Sequence, residues 1–105
     1  MITVDKNNFE QEVLNYDGIV VVEFWSQVCE PCKELLPFLE ELDLKYGKII
    51  KFCELDTKKS IRVAIKEKVL GLPAIVIYKK GKRVDEVVKD NATEENIENM
   101  VKKYI

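Results

Sequence analysis

The sequence predicts an α/β protein: three layers, α/β/α, around a central mixed sheet, in the order β-α-β-α-β-α-β-β-α. Three observations carry this. Apolar, β-branched runs at residues 19–25, 49–55 and 74–78 have the length and composition of strands. Between them, apolar residues recur at helical spacing. Lys79-Lys80-Gly81-Lys82 is a tight reversal that joins the last two strands as an antiparallel hairpin. Alternating strands and helices imply a parallel sheet covered on both faces, to which the hairpin adds an antiparallel edge.

Met1 to Val4 is a short strand. Asp5 reads as an N-cap, and Phe9, Val13 and Tyr16 recur at i, i+4 and i+7, so a first helix covers residues 6–15. Asp17-Gly18 is a turn. Residues 19–25 form a strand apolar enough to be central, interrupted by Glu23. Residues 29–46 are helical, with Leu35, Leu36, Phe38, Leu39, Leu42 and Tyr46 on one broad face and Gly47 as a C′ residue. Pro37 lies inside this helix, removes one N–H and is expected to kink it. After the strand at residues 49–55, Ile61, Ala64 and Ile65 mark a shorter helix, which Gly71-Leu72-Pro73 ends. Residues 74–78 and 83–88 are the hairpin strands. Asn91 or Thr93 caps a last helix with Ile97, Met100, Val101 and Tyr104 on its apolar face.

A chain of 105 residues fits one domain, residues 1–105. A formal charge of −2 supplies no basic field for nucleic acid or an acidic membrane. No charged start precedes an apolar h-region, and no apolar run reaches the roughly 18 residues that span a bilayer. A cytoplasmic monomer is the expectation. Histidine is absent, which removes Cys-His and Ser-His nucleophile schemes and the commonest metal ligand. A general base must then be a carboxylate, a lysine or water.

Cys29 and Cys32 form a C-x-x-C at the start of the long helix. Positions i and i+3 are neighbours on one helix face, so the sulfurs can meet. A sulfur at the first turn faces unpaired N–H groups and the positive end of the helix dipole, which favours the thiolate. Pro31 suits the first turn, where no N–H is needed. Cys29 is the expected nucleophile, and Cys32, deeper, the resolving thiol. The competing reading is a metal site. One C-x-x-C, a distant Cys53 and no histidine fall short of the usual four ligands, unless two copies share their pairs. Neither a metal nor a cofactor is expected. Cys53 reads as a buried free thiol behaving as a small hydrophobe. Glu23, a carboxylate within a β-branched strand, should have a raised pKa and could take the proton of Cys32 through water.

Glu23-Phe24-Trp25, then Cys29-Glu30-Pro31-Cys32-Lys33, Pro37 and Gly71-Leu72-Pro73 before a strand, resemble the thioredoxin family over the whole chain. Lys89 to Ile97 is similar to the final segment of thioredoxins from amino-acid-fermenting clostridia. The resemblance implies the thioredoxin-like fold and disulfide reduction. It implies that Cys29 attacks, Cys32 resolves and Glu23 assists, with Trp25 beside the pair. It makes Pro73 a cis-proline that, with Leu72, offers a backbone edge to extended substrate. The implied partners are a thioredoxin reductase, disulfide-bearing proteins and, from the clostridial likeness, an amino-acid reductase system such as glycine reductase. The chain departs from the family at four places. Glu30 replaces a glycine and opposes a neighbouring thiolate, while Lys33 favours one. Val28 replaces a tryptophan on the substrate-binding rim. Glu54 stands where a lysine often lies near the buried acid, so two carboxylates should couple. The groove glycine near the last strand is replaced around Lys89 and Asp90, which should alter partner choice.

Overall fold

A computed structural model describes residues 1–105. One five-stranded sheet runs in the order β1-β3-β2-β4-β5. The strands are β1 (Ile2–Thr3), β2 (Ile19–Trp25), β3 (Lys51–Asp56), β4 (Ala74–Lys79) and β5 (Lys82–Val88). β1, β3 and β2 are parallel, and β4 runs antiparallel to both β2 and β5. The helices are α1 (Glu30–Tyr46), α2 (Ile61–Lys66) and α3 (Glu94–Lys102). The layers and element order are those the sequence predicts.

Strand alternation sends β2 side chains to two cores. Val21 faces α1 and α3, packed with Leu35, Leu39, Ile75 and Ile97. Val20, Val22 and Phe24 face the other way, against Phe9, Val13 and Tyr78. The Phe9 ring lies 6.2 Å from Phe24 and 6.0 Å from Tyr78. β2 is central because all five residues from Val20 to Phe24 are buried.

Several expected elements differ. The first helix is not an α-helix over residues 6–15. Asp5 Oδ1 accepts the Asn7 N–H at 2.8 Å, turns follow, and Glu10–Leu14 is π-helical, with the Asn15 N–H bonded to the Glu10 carbonyl at 2.8 Å. The wider turn takes Tyr16 off the apolar face. Tyr16 is 40% exposed, and the Lys51 ammonium lies 4.2 Å from its ring centroid. β3 starts at Lys51 rather than 49, because the Ile49 and Ile50 N–H groups both bond the Tyr46 carbonyl at 2.9 Å in a turn. Gly47 is right-handed (φ −64°), not a left-handed C′ residue. Its lack of a side chain matters through space: a Cβ there would lie 2.3 Å from the Asp43 carbonyl oxygen. α1 is continuous through Pro37. Thr93, not Asn91, caps α3, its Oγ1 accepting the Asn96 N–H at 3.1 Å. α2 buries only Ala64, so Ile61 and Ile65, which mark the helix in the sequence, are exposed. No helix is long and apolar enough to cross a membrane.

Candidate redox site

The site sits where β2 ends. Ser26, Gln27 and Val28 link Trp25 to α1, and Cys29 is the N-cap residue of that helix. Cys29 has extended backbone (φ −94°, ψ 97°), and its Sγ accepts the Cys32 N–H at 3.3 Å. The sulfur therefore occupies the place of a capping oxygen, among N–H groups that no helical carbonyl serves. Such a position stabilises negative charge on sulfur once the pair is reduced. Cys29 and Cys32 are joined by a disulfide, with Cα atoms 5.3 Å apart. Cys29 is half-buried and Cys32 fully buried, so only the first sulfur is open to attack from outside. Pro31, between them, is exposed in the first turn.

The expected charges around the pair are mutually engaged. Lys33 Nζ lies 3.2 Å from Glu30 Oε1, and both side chains face solvent. Lys33 thus balances Glu30 at the helix start and is not a free cation beside the sulfur. Val28 is 72% exposed on the rim.

Glu23 is fully buried, and neither carboxylate oxygen has a hydrogen-bond partner. It shares the α1 face of the sheet with Val21, and Cys32, also fully buried, lies on the same stripe of α1 as Leu35 and Leu39, which pack on that face. Both belong to the active-site end of the layer between helix and sheet. Burial, and then the charge of Glu54, push the Glu23 carboxyl up from 4.5 to about 8. Glu54 is its direct partner on β3. The Glu54 oxygens are engaged instead by Trp25 Nε1–H at 2.7 Å and the Thr3 hydroxyl at 2.5 Å. These contacts hold the Trp25 indole at the end of β2. Thr3, far away in the sequence and polar like any surface residue, carried no signal of that role.

The register of β4 on β2, with Ala74 opposite Phe24, puts Pro73 at the same end of the sheet as the cysteines. The Leu72–Pro73 peptide bond is cis. Pro31, Leu72, Pro73, Lys89, Asp90 and Ala92 line a cleft of about 450 Å³. Lys89 has left-handed backbone (φ 53°), and its N–H bonds the Pro73 carbonyl at 2.8 Å. Ala92 was not among the sequence candidates; its only signal is its position after the Lys89-Asp90 turn.

Cys53 is buried on the opposite face of the sheet, with Val22 and Leu55. Burial pushes its thiol up to about 12. It is remote from the pair in chemistry as well as in place. No three His, Cys, Asp or Glu side chains gather in a way that could hold a metal ion.

Comparison with known proteins agrees with the geometry. The family model for thioredoxin matches residues 1–103. A thioredoxin from Acetoanaerobium sticklandii is 55% identical over the full length of both chains. One from Peptoclostridium acidaminophilum is 45% identical over all of this chain and 96% of its own. Both organisms are amino-acid-fermenting clostridia, the group that the final segment resembles. The solved structure of Plasmodium falciparum thioredoxin superposes with a TM-score of 0.91 at 27% identity, covering both chains completely. With a C-x-x-C pair at disulfide distance in this fold, the chain belongs to the thioredoxin family and is a thioredoxin-type disulfide reductase.

Proposed function

We propose that residues 1–105 act as one domain and as a cytoplasmic monomer, carrying two electrons from a thioredoxin reductase to protein disulfides. The observation that supports this most is the asymmetry of the pair: Cys29 caps α1 half-exposed, and Cys32 is buried one turn behind it. In the reduced protein the Cys29 thiolate attacks one sulfur of a substrate disulfide. A mixed disulfide forms, and the other substrate sulfur leaves as a thiolate and takes a proton from water. Cys32 then loses its proton to the Glu23 carboxylate through water, and its thiolate attacks Cys29 Sγ. The Cys29–Cys32 bond forms, the mixed disulfide breaks, and the second substrate thiolate leaves. The substrate has gained two electrons and the pair has lost them.

The other residues position the substrate. Leu72 and Pro73 offer backbone to an extended segment lying in the cleft by Pro31, and Val28 contributes an apolar rim. Trp25, held by Glu54, shapes the wall beside Cys29. Glu30 and Lys33 offset each other near the attacking sulfur. The kinship with thioredoxins of amino-acid-fermenting clostridia supports a further assignment, electron supply to an amino-acid reductase such as glycine reductase.

The test is catalysed reduction of insulin disulfides by the reduced protein. Wild type should catalyse it and Cys29→Ser should not. Equal activity of the two would overturn the mechanism.

A further inference from the structure

One row of side chains crosses the α1 face of the sheet. The strand registers set Thr3 of β1 beside Glu54 of β3, Glu54 beside Glu23 of β2, and Glu23 beside Ile75 of β4. Neighbours in such a row point to the same face, so two carboxylates lie side by side in it. Their surroundings differ. Glu23 is fully buried with no hydrogen-bond partner. Glu54 is half-buried, and one of its oxygens accepts the exposed Thr3 hydroxyl at the edge of the sheet. The other accepts Trp25 Nε1–H at 2.7 Å. Both Glu54 oxygens thus act as acceptors, as those of a carboxylate do.

The other elements packed on that face bring Glu23 no charge. Ile75 is its neighbour on β4, and α3 contributes Ile97, Met100 and Val101. The buried stripe of α1 is Cys32, Leu35, Leu39 and Leu42, so Cys32 is its one titratable group. Glu54 is the charge that bears on Glu23, and it opposes loss of the Glu23 proton. This matters for disulfide exchange. Resolution needs Glu23 as a base, and a protonated Glu23 cannot take the proton of Cys32. The same negative charge makes the base stronger once it has formed.

We propose that Glu54 is a positioning residue of disulfide exchange: its charge withholds the Glu23 base from Cys32 at low pH and strengthens that base at high pH, while its oxygens fix the Trp25 indole. Release of substrate from the mixed disulfide is thereby gated by pH. The inference rests on the role given to Glu23 above, and the experiment separates the two. Glu54→Gln is the discriminating variant. Its amide oxygen can still accept from Trp25 and its amide nitrogen can donate to the Thr3 oxygen, so the contacts stay and the charge goes.

Glu23 is titrated first, through the NMR shift of its carboxyl carbon in the oxidised protein. The wild-type midpoint should be about 8, and that of Glu54→Gln about one pH unit lower. Equal midpoints would overturn the proposal, whatever the protein reduces. Resolution is then timed with dithiobis(nitrobenzoate) in excess over the reduced protein. Attack by Cys29 releases one thionitrobenzoate, and resolution by Cys32 releases the second in a first-order phase. Failure of the wild type to release the second would count against the reductase reading, and the titration would still decide the coupling. A midpoint one unit lower raises the ionised fraction about tenfold at low pH, and the weaker base gives back part of that gain. Glu54→Gln should therefore release the second thiolate about threefold faster than wild type at about pH 6, and about threefold slower at about pH 9. In a Glu23→Gln background the same substitution should leave both rates unmoved. A change of the same sign at both pH values, or the same crossing without Glu23, would overturn the proposal. Trp25 is the only tryptophan, so acrylamide quenching of its fluorescence reads the tether. Quenching should match wild type in Glu54→Gln and rise in Glu54→Ala. Equal quenching in all three would overturn the Trp25 half of the proposal.

Discussion

Glu23 and Glu54 stand opposite each other on β2 and β3, yet only Glu54 has hydrogen-bond donors. Trp25 and Thr3 take up the oxygens of Glu54, while Glu23 is left buried with none. An anion without donors in such a place is costly, so the proton stays on Glu23 well above the usual carboxylate range. A buried acid held near neutrality is suited to exchange protons with a thiol.

Stability should therefore fall as pH rises. Below about pH 4.5 Glu23 is protonated folded or unfolded, and it contributes no penalty. Between 4.5 and about 8 the unfolded chain releases this proton and the folded chain keeps it. Each pH unit in that window then removes up to about 1.4 kcal/mol from folding stability. Urea unfolding of the oxidised protein at pH 5 and pH 8 should show the loss, and Glu23→Gln should lack it. Parallel pH profiles for the two proteins would refute the assignment. If Glu23 also serves Cys32, the same variant should slow resolution of the mixed disulfide at neutral pH.

The unequal burial of the two sulfurs predicts unequal chemistry. Cys32→Ser leaves a half-exposed Cys29 with nothing to resolve it, so a mixed disulfide should accumulate on incubation with a disulfide substrate. Intact-mass measurement would show one adduct per chain. Cys29→Ser should give none, because Cys32 is fully buried. Adducts of similar yield on both variants would remove the division of roles.

Lys89 and Gly71 are coupled across the edge of the cleft. A Cβ on Gly71 would lie 2.1 Å from Lys89 Cε, so the lysine stem occupies the space that a side chain would need. Lys89 itself is left-handed, a conformation that glycine adopts without penalty. Gly71→Ala should cost about 1 kcal/mol, and Lys89→Gly should stabilise by about 0.5–1 kcal/mol. The cost of Gly71→Ala should disappear in the Lys89→Gly background, a coupling that a double-mutant cycle of urea midpoints reads directly. Additive effects would mean that the stem does not fill that space.

What could be read from the chain follows physical lines. β2 was legible because five consecutive buried residues leave little else for a β-branched run to be. Cys29 at a helix start was legible because Pro31 suits the first turn, where no N–H is needed. The π-helical Glu10–Leu14 was not, since i, i+4 spacing of Phe9 and Val13 suits either helix and only the position of Tyr16 separates them. Gly47 was misread because a glycine after a helix ordinarily signals a left-handed residue, whereas here it makes room for the Asp43 carbonyl. The exposure of Ile61 and Ile65 was invisible because periodicity reports a stripe and not what covers it. Glu23 was legible as an oddity, and its missing partners were not, because they depend on Trp25 and Thr3 satisfying its neighbour.

Gly81 supplies the most demanding test of the hairpin. Lys80 (φ 52°) and Gly81 (φ 78°) both take left-handed backbone, the pattern of a type I′ turn, which matches the twist of β4 and β5. Asparagine usually substitutes for glycine at such a position at modest cost. Here a Cβ would also lie 2.0 Å from the Leu14 carbonyl oxygen. That oxygen belongs to backbone at the end of the π-helix, so it cannot swing aside as the Lys89 stem can. Gly81→Ala and Gly81→Asn should then destabilise alike, by about 2–4 kcal/mol, because the clash outweighs the dihedral preference. Lys80→Gly relieves its own positive φ without meeting Leu14 and should be neutral or stabilising. Thermal unfolding of the three oxidised variants separates the effects. An asparagine variant as stable as wild type would show that the turn is held by its dihedrals alone and not by the approach of Leu14.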